Sequence, residues 1–196
     1  MVVPVPVGKA PFREFLQIYS LPQKPLSVLL IGLCGSLTNQ HQVGDVVVYG
    51  SCLDETGQRW ECDRALTNQL CQVFNCQPVP AFTSDRLIHQ ATEKQQTYQK
   101  YQTEVVDMEG SSALEVLAVH GVAIGMIRIV SDDCQHDLPD LSTAFSADGS
   151  LRPLPLAIGM LRQPWAAARL IQGSLKGLKI LQQVSQQLVF ALNFDE

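Results

Sequence analysis

The segment from Glu104 to Asp133 constrains the fold more than any other part of this 196-residue chain. Glu104-Val105-Val106-Asp107-Met108 is a β-branched run that reads as a strand. The small and aliphatic residues from Gly110 to His120 suit a buried helix, and Gly121 closes it as a C-cap residue would. Val122 to Val130 then reads as a fully buried strand. Strand, buried helix and strand make a βαβ pattern, which sets the fold class as α/β. Ser27-Val28-Leu29-Leu30-Ile31 ends in Gly32 and predicts a central strand covered on both faces. Asp45-Val46-Val47-Val48-Tyr49, entered through Gly44, predicts another. Near the C-terminus Ile171, Leu175, Leu178, Leu181, Val184 or Ser185, Leu188 and Leu192 recur at helical steps. They predict a long amphipathic helix whose apolar stripe packs on the sheet.

A hydrophobic fraction of 46% with 17% charged residues fits a single globular domain over 1–196, with no repeat and no linker. The net charge of -5 gives no footprint for nucleic acid and points to a small-molecule partner. Apolar stretches such as Val122 to Ile127 are far shorter than the ~18 residues of a membrane helix. Met1 to Val7 lacks a basic leader and carries Pro4 and Pro6, so no secretory signal is read and a cytoplasmic location is expected. Cys34, Cys52, Cys62, Cys71, Cys76 and Cys134 form no CxxC pair and have no histidine at a ligand spacing. They read as reduced, packed thiols, with no metal expected. The glutamine pairs Gln95-Gln96, Gln182-Gln183 and Gln186-Gln187 suit exposed helix faces. The proline-bearing stretch from Ser131 to Pro164, with Ala147-Asp148-Gly149-Ser150 inside it, is either a lid beside a site or a surface excursion with a short helix around Leu141 to Phe145.

Three polar or glycine-rich clusters follow the predicted buried strands: Gly32-Leu33-Cys34-Gly35-Ser36, Asp107-Met108-Glu109-Gly110 and Ser131-Asp132-Asp133. Ligands of open α/β sheets bind at that carboxyl edge, so the three are expected to share one pocket. Each also has a structural explanation. Gly32 and Gly35 could serve a tight turn, Asp107 or Glu109 a helix N-terminus, and Ser131 an N-cap.

Ile31-Gly32-Leu33-Cys34-Gly35-Ser36-Leu37 followed by Val43-Gly44-Asp45-Val46-Val47-Val48 resembles the glycine turn and GDVV strand of the nucleoside phosphorylase superfamily. Val106-Asp107-Met108-Glu109-Gly110 and Ile127-Arg128-Ile129-Val130-Ser131-Asp132 resemble that family's paired signatures, in the right order. The resemblance is to its hydrolytic branch, the methylthioadenosine/S-adenosylhomocysteine nucleosidases. Thr83-Ser84-Asp85-Arg86, Asp137-Leu138-Pro139 and Leu161-Arg162-Gln163-Pro164 resemble the phosphorylase-like nucleosidases of hopanoid biosynthesis.

The resemblance implies a three-layer phosphorylase-like fold, with a mixed, mostly parallel central sheet flanked by helices. It also implies cleavage of the N-glycosidic bond of a purine nucleoside, by hydrolysis rather than phosphorolysis. Such a reaction builds positive charge on the sugar and negative charge on the leaving base, and the catalyst must stabilise both. By resemblance Asp132 protonates the purine, Glu109 accepts from the ribose hydroxyls and Met108 packs on the sugar. The backbone around Cys34, Gly35 and Ser36 forms a nest for the nucleophile. Leu87 and Ile88 lie against the base, and Ser131 completes the substrate pocket. Arg128, on the same face of the strand as Asp132, orients that carboxylate, or is a structural arginine paired with another acid. His120 has no role beyond the helix C-terminus.

Two departures from the family qualify this. Gly8-Lys9 resembles a later Gly-Lys turn of the family, so the domain reads as shortened at its amino terminus and lacks the acid that helps activate water. Glu14 is a poor substitute. A missing first strand predicts an exposed sheet edge near Val2 to Val7, and hence a homo-oligomer. Leu87 stands where the nucleosidases carry an aromatic residue, and Leu30 where some phosphorylases carry a phosphate-binding arginine. No cofactor is expected, with phosphate the one co-substrate to consider. The alternative is a non-catalytic member that binds a nucleoside or forms an oligomer.

Overall fold

Alternating apolar residues on two long strands build the centre of the molecule. The structure is a computed structural model and describes residues 2–19, 27–144, 146 and 152–191. Strands β1 (Ser27–Ser36) and β6 (Ala123–Asp132) run parallel, paired from Ser27 with Ala123 to Cys34 with Val130. Their side chains alternate between two helix layers. On one face Leu30, Cys34, Met126 and Val130 pack with Phe12 of α1 (Lys9–Ile18) and with Ala113, Leu114 and Leu117 of α4 (Gly110–Val119). On the other, Leu29, Leu33, Ile127 and Ile129 pack with Leu70 of α2 (Arg64–Phe74) and with Val184 and Leu188 of α6 (Pro164–Ala191). The expected layers of helix, sheet and helix are present.

The remaining strands are β2 (Val46–Leu53), β3 (Arg59–Glu61), β4 (Pro78–Thr83) and β5 (Val105–Asp107). The β1–β6, β2–β4 and β4–β5 pairs are parallel, and β1–β5, β2–β3 and β2–β6 are antiparallel. The sheet is mixed, with its longest ladder parallel. Because β2 pairs with β6 as well as β4, five strands close into a ring and β3 remains as the edge. That edge is short and carries the exposed Arg59–Glu61 ion pair, features that discourage edge-to-edge association. The exposed edge expected from a missing first strand is therefore not found among the described residues. Residues 2–7 lie outside any helix or strand, with Val2, Val5 and Val7 exposed.

The predicted strand, helix and strand occur in order as β5, α4 and β6, with Gly121 at φ 66° just past the helix. They do not form a parallel crossover. β1 lies between the two strands and β5 runs antiparallel to it, because ring closure sets the direction of this three-residue strand.

Helix α6 corrects the predicted stripe. Val184 and Leu188 face the sheet, but Ile171, Leu175 and Leu178 are exposed, and the buried positions in that half are Ala166, Ala167, Gly173 and Gly177. A Cβ at Gly173 would lie 2.0 Å from the Ser131 carbonyl oxygen, and one at Gly177 would lie 2.8 Å from Leu33 Cδ2. The helix backbone thus approaches the sheet too closely for larger residues. Leu192 lies outside the described residues, as do Phe145 and residues 147–150. The stretch after Ser131 is no structureless lid, since α5 (Pro153–Arg162) forms within it. Its first part is anchored: Leu138 N–H donates to the His89 carbonyl, and Leu138 and Leu141 are buried.

The two glycines should respond differently to a methyl group. Gly173→Ala drives a Cβ into backbone and should cost about 1–3 kcal/mol or more in urea unfolding, as overpacked sites do. Gly177→Ala meets the end of a leucine side chain that can shift, and should cost distinctly less.

Candidate active site

The chain places one full charge deep under β1. Arg128 sits mid-strand on β6, opposite Gly32 of β1, and is buried. Its Nη2 donates to Asp107 Oδ2 at 3.1 Å and lies 3.8 Å from Glu109 Oε2, and its guanidinium carbon is 5.8 Å from the centroid of the Tyr49 ring. Asp107, the last residue of β5, also accepts from Thr83 Oγ1 at 2.9 Å and from the Gly110 N–H at 3.1 Å. That second bond satisfies a free N–H at the start of α4. Glu109 accepts from the Gly8 N–H at 2.8 Å, at the entrance to α1. Burial, followed by the neighbouring charge of Asp107, pushes Glu109 above the usual carboxylate range, against the opposing pull of Arg128 and the Gly8 and Met108 N–H groups. Burial likewise pushes the Cys34 thiol far up, so it is packing and not a nucleophile.

A second ion pair lies at the end of β6. The β1–β6 register passes from Cys34–Val130 to Gly35–Asp132, so Ser131 is an extra residue and the alternation of faces breaks there. Asp132 consequently turns onto Gly35, where an added Cβ would lie 2.6 Å from Asp132 Oδ2. Ser131 Oγ donates to the Cys34 carbonyl at 3.1 Å, and its contact with Asp132 Oδ1 is 2.8 Å. Lys94 Nζ, from α3 (Ala91–Tyr101), pairs with Asp132 Oδ2 and donates to the Asp133 carbonyl. The Lys94 side chain is 0% exposed and that of Asp132 11%. Ser131 and Asp132 border a cleft of about 270 Å³ together with Val43, Arg169, Gln172 and Lys176.

A family model of the phosphorylase superfamily matches residues 12–152. The chain belongs to the phosphorylase superfamily. Its fold is similar to solved members whose sequences are far apart from it. One is the 5'-methylthioadenosine/S-adenosylhomocysteine nucleosidase of Helicobacter pylori, with TM-score 0.64, 16% identity and coverage of 93% of this chain and 77% of that one. The futalosine hydrolase of the same organism gives TM-score 0.60 and 18% identity over 90% and 76%. The Campylobacter jejuni nucleosidase gives TM-score 0.59 and 16% over 83% and 76%. Among curated proteins no match is found. No helix among the described residues is long and apolar enough to cross a membrane.

Within this superfamily fold the predicted clusters meet at the carboxyl end of β1, where Gly35 pairs with Val106 of β5 and Asp132 of β6. Ser131 and Asp132 border the cleft, whereas Cys34, Gly35, Ser36, Leu87, Ile88, Met108 and Glu109 are not among its lining residues. Arg128 pairs with Asp107 and Glu109 rather than orienting Asp132, because the bulge at Ser131 turns Asp132 off its face. The predicted nest at Cys34 to Ser36 is regular strand, paired to β5 and β6 through Ser36, and Ser36 Oγ donates to the Thr38 carbonyl. Gly35 serves close approach by Asp132, and Gly32 stands opposite Arg128 at ordinary contact distance; both lie within β1 and not in a turn. Ile88 is buried against Leu37, Phe82 and Val106, so it is core rather than a base contact, while Leu87 and Met108 are half-buried. Asp137 accepts from the Ala91 N–H at 2.8 Å and so caps α3. His120 is the C-cap of α4, and all six cysteines are free.

Lys94 escaped sequence reasoning because it lies in Glu93-Lys94-Gln95-Gln96, whose polar composition reads as a solvated helix face. The signal was the step from Lys94 to Thr97, the two buried positions of α3.

Removing the central cation strands two buried carboxylates. Arg128→Met should therefore cost about 3–5 kcal/mol in urea unfolding. Adding Asp107→Asn to that variant should recover part of the loss, a coupling that a double-mutant cycle measures directly.

Proposed function

We propose that the protein hydrolyses the N-glycosidic bond of a purine nucleoside of the methylthioadenosine or S-adenosylhomocysteine kind. The observation carrying this reading is a partly exposed carboxylate, Asp132, held at the edge of a cleft by Ser131 and Lys94 in a chain of the phosphorylase superfamily. In the proposed reaction Asp132 supports proton delivery to the departing purine. Glu109, on the far side of the β1 terminus, supplies negative charge and an acceptor for the ribose hydroxyls. Its Gly8 N–H contact leaves Oε2 facing Arg128, so binding ribose requires sharing that carboxylate.

Water is the proposed nucleophile. A phosphate dianion needs uncompensated positive charge. Position 30 is a buried leucine. Arg128 is paired with Asp107 and Lys94 with Asp132, while among the described residues Arg169 and Lys176 at the cleft bond only the Asp137 and Val43 carbonyls, so base release with and without phosphate decides the nucleophile. No bound cofactor enters the proposal. A non-catalytic, nucleoside-binding role is the second reading, favoured by the fact that both carboxylates are engaged within the chain itself.

Incubation with methylthioadenosine, S-adenosylhomocysteine, adenosine and inosine, with and without phosphate, should release free base independently of phosphate. Asp132→Asn should lower kcat by ~10²- to 10⁴-fold with nucleoside binding largely kept. Glu109→Gln should raise KM as well, since it removes an acceptor worth about 1.5–3 kcal/mol. Nucleoside that binds without any base release would establish the second reading.

We further propose self-association through α6. Ile171, Leu175 and Leu178 form an exposed apolar stripe at 45%, 63% and 51% exposure. Light scattering at micromolar concentration should show an oligomer, and Leu175→Glu with Leu178→Glu should shift it towards monomer.

A further inference from the structure

A buried lysine ammonium is a strongly hydrated charge taken wholly out of water, and the fold keeps such a group only where partners compensate it. Lys94 is 0% exposed, and its Nζ is spent on Asp132 Oδ2 and the Asp133 carbonyl. Helix α3 is fixed over these groups by a tether of its own, the Asp137 carboxylate on the Ala91 N–H. The segment from Asp132 to Asp137 thus grips the first turns of α3 and holds Lys94 behind Asp132. From the cleft inward the order is open space, Asp132, Lys94.

Asp132 paired in this way accepts from a cation, and a carboxylate that only accepts has no proton to give. We propose that Lys94 is a positioning residue for the nucleosidase reaction that also stores the proton Asp132 delivers, an inference resting on the activity proposed above. The bond between sugar C1′ and the base breaks with both electrons going to the base. The base takes a proton from Asp132 as Asp132 takes one from Lys94 Nζ. Water adds hydroxide to C1′ and releases one proton, and a proton from solvent restores the Lys94 ammonium when product leaves.

The test compares Lys94→Met and Lys94→Arg with the parent on two substrates, after circular dichroism has shown that each variant folds. One substrate is the purine nucleoside that the parent cleaves, and the other is 4-nitrophenyl riboside, whose leaving group departs without a proton. Lys94→Met should lose ~10²- to 10⁴-fold in kcat on the nucleoside and stay within about tenfold of the parent on the nitrophenyl riboside. Lys94→Arg keeps the positive charge but cannot release a proton, so it should restore KM and leave kcat on the nucleoside low. Recovery of kcat in Lys94→Arg would overturn the proton role, and so would equal losses on both substrates. The arginine comparison stands by itself if Lys94→Met does not fold or if the parent ignores the nitrophenyl compound. A parent that cleaves no nucleoside removes the proposed activity and the Lys94 role with it, whereas a parent that does so with Lys94→Met unimpaired removes the Lys94 role alone.

Discussion

The Arg128–Asp107 pair is the constraint around which the other features arrange themselves. A guanidinium and a carboxylate have both left water here, with side-chain exposures of 3% and 1%. Desolvation of that size is offset only by excellent geometry and further hydrogen bonds. The chain provides them on the carboxylate side, through Thr83 and the Gly110 N–H, whereas Nε and Nη1 of Arg128 are buried without a hydrogen-bond partner among the described residues. A small residue clears the necessary space. A Cβ at Gly110 would lie 2.7 Å from Cys52 Sγ and 2.9 Å from Asp107 Oδ2. Positions 83, 107, 110 and 128 are therefore one physical object, although the chain scatters them over three segments.

This explains why the sequence revealed the motifs better than the roles of their residues. The strand at Val28 to Ile31 was legible from its β-branched and aliphatic run, but its predicted cover on both faces is incomplete: Leu30 is buried, Val28 and Leu29 are half-buried and Ile31 is exposed. Ring closure was not legible, since it depends on Val46 to Val48 pairing with Ile127 to Ile129 while β2 also pairs with β4. Nothing local encodes a strand with three partners, as β2 has in β3, β4 and β6. The glycines were recognised, with a tight turn or a backbone nest as the two readings. The position of Gly35 against Asp132 shows instead that it makes room for a side chain of another strand.

The bulge at Ser131 illustrates how one residue redirects a site. Period-two reasoning puts Arg128 and Asp132 on one face and makes them partners. The extra residue cancels that parity, leaving Arg128 with the interior acids and Asp132 with Lys94. Helix α6 presents the same difficulty in another form. Its apolar periodicity picked out the buried face at Val184 and Leu188 only, because Gly173 and Gly177 bring the backbone itself onto the sheet and release Ile171, Leu175 and Leu178 to the surface.

Ring closure also sets the order in which the fold can be completed during synthesis. β1 finds its long partner only in β6, with Ser27 waiting for Ala123, and β2 closes the ring on the same late strand. At ~5–20 residues per second the ribosome needs about 5–20 s to cover that interval. Throughout it the four-residue apolar run Val28 to Ile31 lacks its native partner strand. Slow, non-local closure of this kind is a folding hazard before it is a source of stability.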